Sequence, residues 1–382
     1  MTTKPEFLYN PEQCSCISGA ERGCPRNRKC SECTVFHHSR SGSYTACERR
    51  TMQALLERLP KVPTEGPWEE NRAAIQTLLQ REEFGFLPQV PVEVEGVVEA
   101  EDERLDEARA LFQKVRLTLR WAEGSYSFPL WLAFPKEGAK ATFLHIAFPL
   151  HDPIHVMPYE EIVSCGMGVA VVYYTDITSD DDDFTNGLAG AWYQGRARAA
   201  EDPGKIALWA WALTKIMDYL ATVPQIDASK VAVVGHSRLG KTALCAGLMD
   251  ERFALTISND SGCAGAAINR GNQGESIEAI TRVFPFWFDA HYQEYVGRAE
   301  EMPWDAHFLL AGIAPRRVYV ASAMGDSWAD PIAEQTSAEA ARAVYEQLGL
   351  DRNHVGSHVR QGGHALSRVD WLRFMEYVEK YL

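Results

Sequence analysis

From residue 141 onward the chain alternates two kinds of apolar pattern. Short unbroken runs at Ala141–Phe148, Val169–Tyr174, Lys230–Val234, Leu255–Ser258 and Arg317–Ser322 have the length and small or β-branched content of strands buried on both faces. Between them, residues 158–165 and Gly204–Ala221 place apolar side chains at helical spacing. Ser357–Arg360 reads as the last strand and 367–381 as a closing helix. This alternation predicts an α/β fold with a mostly parallel central sheet covered by helices on both faces. Upstream the period changes. Val90 to Glu99 alternates apolar and polar positions, and Val115–Trp121 and Tyr126–Phe134 follow as further strands, an antiparallel entry to the sheet. Leu55, Leu56 and Leu59, then Ala74, Ile75, Leu78 and Leu79, predict helices over 51–59 and 68–82, separated by Pro60, Pro63 and Pro67. Residues 1–50 have little apolar period, so the expected organisation is a small segment over 1–50 and one α/β domain over 51–382.

Composition narrows the function classes. A chain of 382 residues that is 46% hydrophobic buries a large core, and a formal charge of −14 argues against nucleic acid and anionic membrane surfaces as partners. No apolar run approaches the length of a membrane span. The first ten residues contain no apolar leader pattern, so a cytoplasmic location is expected.

Chemistry concentrates at Val231-Ala-Val-Val-Gly-His-Ser-Arg-Leu-Gly-Lys-Thr-Ala-Leu244. An apolar strand runs into Gly235-His-Ser-Arg-Leu-Gly240 and an alanine-rich helix follows at once, the G-x-S-x-G pattern of a serine presented on a tight strand-to-helix turn. Ser237 then lies at the head of a helix, where free N–H groups meet developing negative charge. A histidine base and a carboxylate are expected downstream, each after a strand. His364, in Gln361-Gly-Gly-His-Ala-Leu366, follows the last strand, and two glycines let its loop turn toward the serine. Two aspartates compete for the acid position. Asp326 follows the strand before the histidine strand, and Asp260 follows the strand after the serine helix. Asp330, before Pro331, reads as a turn former, and the run Asp180–Asp183 as a solvated loop.

Six of the nine cysteines precede residue 50. Without an export pattern such a cluster favours metal, and Cys24, Cys30, Cys33 and Cys47, with His37 and His38 between, are the candidate ligands of one structural zinc. Cys14 and Cys16 fall outside that set, and free or disulfide-paired thiols are the alternative. No cofactor is expected in catalysis.

The chain resembles the glucuronoyl esterases, carbohydrate esterases with the α/β-hydrolase fold. Gly235-His-Ser-Arg-Leu-Gly-Lys241 looks like the family's G-x-S-R-x-G-K motif, and Asn259-Asp-Ser-Gly-Cys-Ala-Gly265 is similar to its acid-bearing E-S-G-x-G-G turn. Met302-Pro-Trp-Asp-Ala-His-Phe-Leu-Leu-Ala-Gly-Ile-Ala-Pro-Arg316 looks like its P-F-D-x-H…I-A-P-R segment. The resemblance implies a serine carboxyl-ester hydrolase acting on a small uronic acid ester, with Ser237 as nucleophile, His364 as general base and Arg238 at the oxyanion. It further implies that Lys241 reaches sugar hydroxyls and that Trp328 packs on the sugar ring. A family carboxylate expected near Phe284 is missing, and Glu275 is the nearby substitute. Asp260 stands where fungal members have Glu, and His236 where they have Cys. Two other readings stay open: an acetyl esterase of acetylated sugars, and a catalytically idle α/β-hydrolase scaffold whose cysteine segment senses metal or redox state.

Overall fold

The computed structural model describes residues 8–16, 21–40, 43–102, 110–149 and 157–382, and most of the stretch without a leader pattern lies outside them. Nine strands form one sheet in the order β1-β2-β3-β5-β4-β6-β7-β8-β9. β1 (Glu93–Asp102), β2 (Ala110–Trp121) and β3 (Gly124–Pro135) are an antiparallel meander that joins the rest through an antiparallel β3–β5 edge. β4 (Thr142–Ala147), β5 (Gly168–Tyr173), β6 (Val231–His236), β7 (Phe253–Asn259), β8 (Arg317–Ala323) and β9 (Val355–Arg360) are mutually parallel. All six expected parallel strands are present within a residue or two at most ends.

Alternation along the buried strands sorts side chains to two cores. Val231 and Val233 join one cluster, with the helices Lys205–Leu220, Arg238–Met249 and Trp68–Leu79. Ala232 and Val234 point the other way, toward Tyr159–Ser164 and Arg368–Tyr381, where Trp371 meets Phe143 edge-on with ring centroids 5.6 Å apart. Each fully buried large apolar side chain contributes roughly 1.5–3 kcal/mol relative to exposure. Because β6 to β9 run in parallel, the residues that follow each of them collect at a single edge of the sheet.

Three sequence expectations change. Asp330 is not a simple turn residue. Its carboxylate accepts the Ala333 N–H at 3.1 Å and caps the helix Pro331–Gln347, with Pro331 in the first turn. The expected boundary at residue 50 falls inside the helix Ala46–Leu56, which starts at a capping box between Thr45 and Glu48. The helix over 68–82 ends at Leu79 and passes into a π-turn, Gln80–Phe84.

That π-turn buries Glu83, whose carboxylate accepts the Trp304 indole N–H at 3.0 Å. Burial, reinforced by the nearby Asp289 and Asp305, pushes the Glu83 carboxyl up to about 8. A raised folded-state value means that the unfolded chain releases this proton first. The group therefore favours the folded state most below its ordinary carboxylate range, and that contribution is lost as pH rises toward 8. Glu83→Gln keeps an acceptor for Trp304 and cannot ionise. Thermal unfolding between pH 5 and 8 is expected to show the variant gaining stability over the parent as pH rises; parallel profiles would assign the pH dependence elsewhere.

Candidate active site

The strand-to-helix turn forces Ser237 into φ 58°, ψ −130°, a sparsely populated region held by its surroundings. The Ser237 N–H donates to the Asn259 carbonyl at 2.9 Å, and the Gly240 N–H donates back to the Ser237 carbonyl at 2.8 Å. Gly235 is required for packing, since a Cβ there would sit 2.0 Å from the Leu239 carbonyl oxygen. The helix Arg238–Met249 starts immediately after the serine and makes no bond to its side chain, so the hydroxyl is left for chemistry beside the positive end of the helix.

His364 reaches the serine from the loop after β9. Its Nε2 lies 2.8 Å from Ser237 Oγ and its Nδ1 lies 2.5 Å from Asp326 Oδ2. Asp326 comes from the turn after β8 and also accepts the Ala329 N–H at 3.2 Å. Burial opposes its charge, but the imidazole and backbone N–H groups outweigh burial and hold the carboxyl below its ordinary value. The imidazole is 43% exposed while Asp326 is buried, so the chain of hydrogen bonds opens to solvent at its serine end. This is the geometry that general-base activation of a serine requires, with a buried carboxylate placed to orient the base.

Asp260 does not occupy that role. Its Oδ1 accepts the Ala323 N–H at 2.6 Å and its Oδ2 pairs with Arg360 at 3.1 Å. Burial and the neighbouring Glu334 push its carboxyl above the ordinary range despite the guanidinium. Asp260, Asp326 and His364 offer atoms within 4.8 Å of one another, so the second aspartate stands behind the triad without bonding to the imidazole.

Arg360, which sequence reasoning missed, holds the histidine loop. Its guanidinium donates to the carbonyls of Gln361 and Gly363 at 3.1 Å each and to that of Ala365, while its charge meets Asp260 and Asp370, the latter at 2.6 Å. The signal available in the sequence is an arginine ending the last strand, four residues before His364. Asp180 was also hidden, as part of the run expected to be a solvated loop. Its carboxylate accepts the Trp287 indole N–H at 2.7 Å, the Tyr174 hydroxyl at 3.2 Å and a guanidinium N–H of Arg238. Arg238 lies 4.8 Å from the Trp287 ring centroid and 5.2 Å from that of Phe284, and its buried Nε–H has no partner among the described residues. His236 lies beside His364, with ring centroids 4.5 Å apart and the rings tilted by 45°, and its Nδ1–H donates to Asn259 Oδ1 at 2.7 Å. Burial, with His364 adjacent, lowers His236 to about 4, so it stays neutral beside the His364 imidazole.

Lys241, Glu275 and Trp328 converge on one side of the serine helix. Lys241 is not extended toward solvent. It is buried, donates to the Ser261 carbonyl at 2.5 Å and pairs with Glu275 at 3.4 Å. The Glu275 N–H donates to the Trp328 carbonyl at 2.8 Å, joining the two loops, and Trp328 is 57% exposed. Cys24, Cys30, Cys33 and Cys47 line one cavity together with Cys14, Cys16 and His37; among the described residues no three of these sulfurs lie within 4.8 Å of one another.

Residues 120–349 match the family profile described as glucuronyl esterase, fungi. Carbohydrate esterase MZ0003 of an unknown prokaryotic organism is 41% identical over 239 residues, 58% of this chain and 55% of its own length, so the match spans little more than half of that relative. The 4-O-methyl-glucuronoyl methylesterase 1 of Wolfiporia cocos is 29% identical over 78% of this chain and 72% of its own. Among solved structures, a glucuronoyl esterase from Solibacter usitatus superposes with a TM-score of 0.75 at 30% identity, covering 83% of this chain and 94% of that one. A promiscuous CE15 esterase from the marine bacterial metagenome gives 0.76 at 30% identity, over 86% and 99%.

The two aspartates make opposite predictions. Asp326→Asn is expected to lower kcat by roughly 10²–10⁴-fold with little change in Tm, because it breaks the bond that orients the base. Asp260→Asn is expected to lower Tm and cost less activity, because it removes the counter-ion of Arg360. Steady-state kinetics and thermal unfolding of both variants decide it, and the reverse ranking would move the acid role to Asp260.

Proposed function

The chain belongs to the glucuronoyl esterase family, and from that premise we propose that it hydrolyses a uronic acid ester of a carbohydrate through an acyl-enzyme on Ser237. The carrying observation is the unbroken chain of hydrogen bonds from Asp326 through His364 to the Ser237 hydroxyl. His364 Nε2 takes the hydroxyl proton as Ser237 Oγ attacks the ester carbonyl. The resulting oxyanion lies over the first N–H groups of the helix Arg238–Met249 and beside the Arg238 guanidinium, which the aromatic box and Asp180 hold in place before substrate arrives. Collapse expels the alcohol, protonated by His364, and water activated by the same imidazole releases the acid.

In a uronic ester the attacked carbonyl is attached to the sugar ring, so the ring belongs on the acyl side of the site. The exposed Trp328 supplies a platform for it. An acetyl ester would leave this platform without a partner on the acyl side, which favours the uronate over the acetylated sugar.

Two measurements test the reading. Purified protein assayed on methyl glucuronate, an acetylated sugar and p-nitrophenyl acetate is expected to prefer the first in kcat/KM; a preference for the acetylated sugar would reassign the substrate. Ser237→Ala is expected to remove hydrolysis by roughly three orders of magnitude or more with folding intact, and Arg238→Ala to lower kcat by roughly 10²–10³-fold with little change in KM. Near-normal turnover in the serine variant would end the serine mechanism, and an effect on KM alone would make Arg238 a substrate clamp.

A further inference from the structure

The cysteine-rich segment has a geometry that its sequence does not convey. Cys14, Cys16, Cys24, Cys30, Cys33 and Cys47 all line one cavity of about 60 Å³. Such a volume suits an ion and a few atoms around it, and is far below that of a pocket for an organic substrate. Backbone geometry brings the thiols there by two routes. A tight turn with Asn27 N–H to the Cys24 carbonyl and Lys29 N–H to the Arg26 carbonyl, both 3.0 Å, leads into the helix Cys30–Arg40, which carries Cys30 and Cys33 in its first turn. Cys47 sits in the first turn of the helix Ala46–Leu56, next to its capping residue Thr45, whose Oγ1 is 3.2 Å from Cys47 Sγ. The first turns of two helices therefore border the same space. Arg26, Arg28 and Lys29 line the cavity as well. They supply positive charge to offset the net negative charge of a divalent ion held by four thiolates.

We propose that this cavity is a tetrahedral zinc site held by Cys33 and Cys47, from the first turns of the two helices, by Cys24 from the turn and by Cys16 from the stretch before it. A divalent ion stabilises the thiolates bound to it together, and they lose their protons on binding. The sulfurs lie farther apart than ligands of one ion, so coordination draws them inward by side-chain rotation and ties the turn, both helices and the stretch that carries Cys14 and Cys16 into one unit. This ligand set differs from the one the spacing suggests, which leaves Cys14 and Cys16 out.

The site is structural in its consequences. Leu8 and Leu55 pack on Ala267, Ile268, Ile332 and Ala333 of the catalytic body, and Tyr9 donates its hydroxyl to buried Glu48 at 2.6 Å. The zinc would fasten that layer without touching substrate, so this inference stands whether or not the proposed ester is the right one.

Elemental analysis of full-length protein, prepared under reducing conditions with zinc supplied, is expected to find about one zinc per chain. Cys33→Ser and Cys16→Ser are expected to lose it and to lower Tm, while Cys165→Ser, at an exposed thiol elsewhere, keeps both. Should the serine variants fail to fold, cobalt(II) added to the chelator-stripped parent under reductant provides the measurement. Intense thiolate-to-cobalt charge transfer with tetrahedral d–d bands is expected. Absence of those bands, full zinc in Cys33→Ser, or mass spectra showing these thiols joined as disulfides in the reduced-condition preparation would each overturn the proposal.

Discussion

The active-site geometry hangs on one buried cation. Arg360 ends the last strand and spends its donors in two directions, on the carboxylates of Asp260 and Asp370 and on three carbonyls of the loop that carries His364. A loop containing Gly362 and Gly363 has little conformational preference of its own, so its shape has to be imposed. A planar guanidinium with fixed donor directions imposes it in a way that a lysine could not. The two carboxylates are what make the cation tolerable in the interior. Removing either would leave charge buried without its partner. Asp260 therefore belongs to the catalytic apparatus at one remove, through the loop that it helps to hold.

Around that anchor, the groups beside His364 are arranged so that they do not compete with it in the proposed reaction. Its neighbour His236 is kept neutral by burial, His145 behind it even more so, and Asp326 stays ionised against its own burial because the imidazole and backbone N–H groups bond to it. A second titrating histidine beside the base would compete for the proton and repel the imidazolium; burial of His236 and His145 removes that competition. On the other side of the serine, Arg238 is fixed by Asp180 and by aromatic faces, so little reorganisation is left for the moment when negative charge develops.

Much of this was legible in the residues because it depends on local pattern. Buried parallel strands announce themselves as apolar runs, and the tight turn at Ser237 needs Gly235 for contacts only a few residues away. His364 could be named because two glycines and a strand precede it. Whatever depended on long-range pairing stayed hidden. The choice between Asp326 and Asp260 turns on which carboxylate meets the imidazole and which meets Arg360, one hundred residues further along the chain from Asp260. The acidic run at 180–183 looks solvated in isolation, and only the fold brings Asp180 beneath Arg238. Lys241 at a helix position near the serine reads as a reaching side chain, yet the fold turns it inward to Ser261 and Glu275. The helix Pro331–Gln347 was masked because an Asp-Pro pair signals a turn as readily as a capped helix start.

The cavity between the N-terminal layer and the body is walled by Leu8, Tyr9, Thr51 and Leu55 on one side and by Met324, Ser327 and Asp330 on the other. Those last three flank Asp326. The cysteine-rich layer is thus part of the floor under the turn that presents Asp326, and the catalytic unit does not begin where the α/β pattern does. Transplanting this fold onto another scaffold, or fusing it behind a carrier, would call for the junction to lie ahead of that layer, so that the turn carrying Asp326 keeps the surface it was folded against.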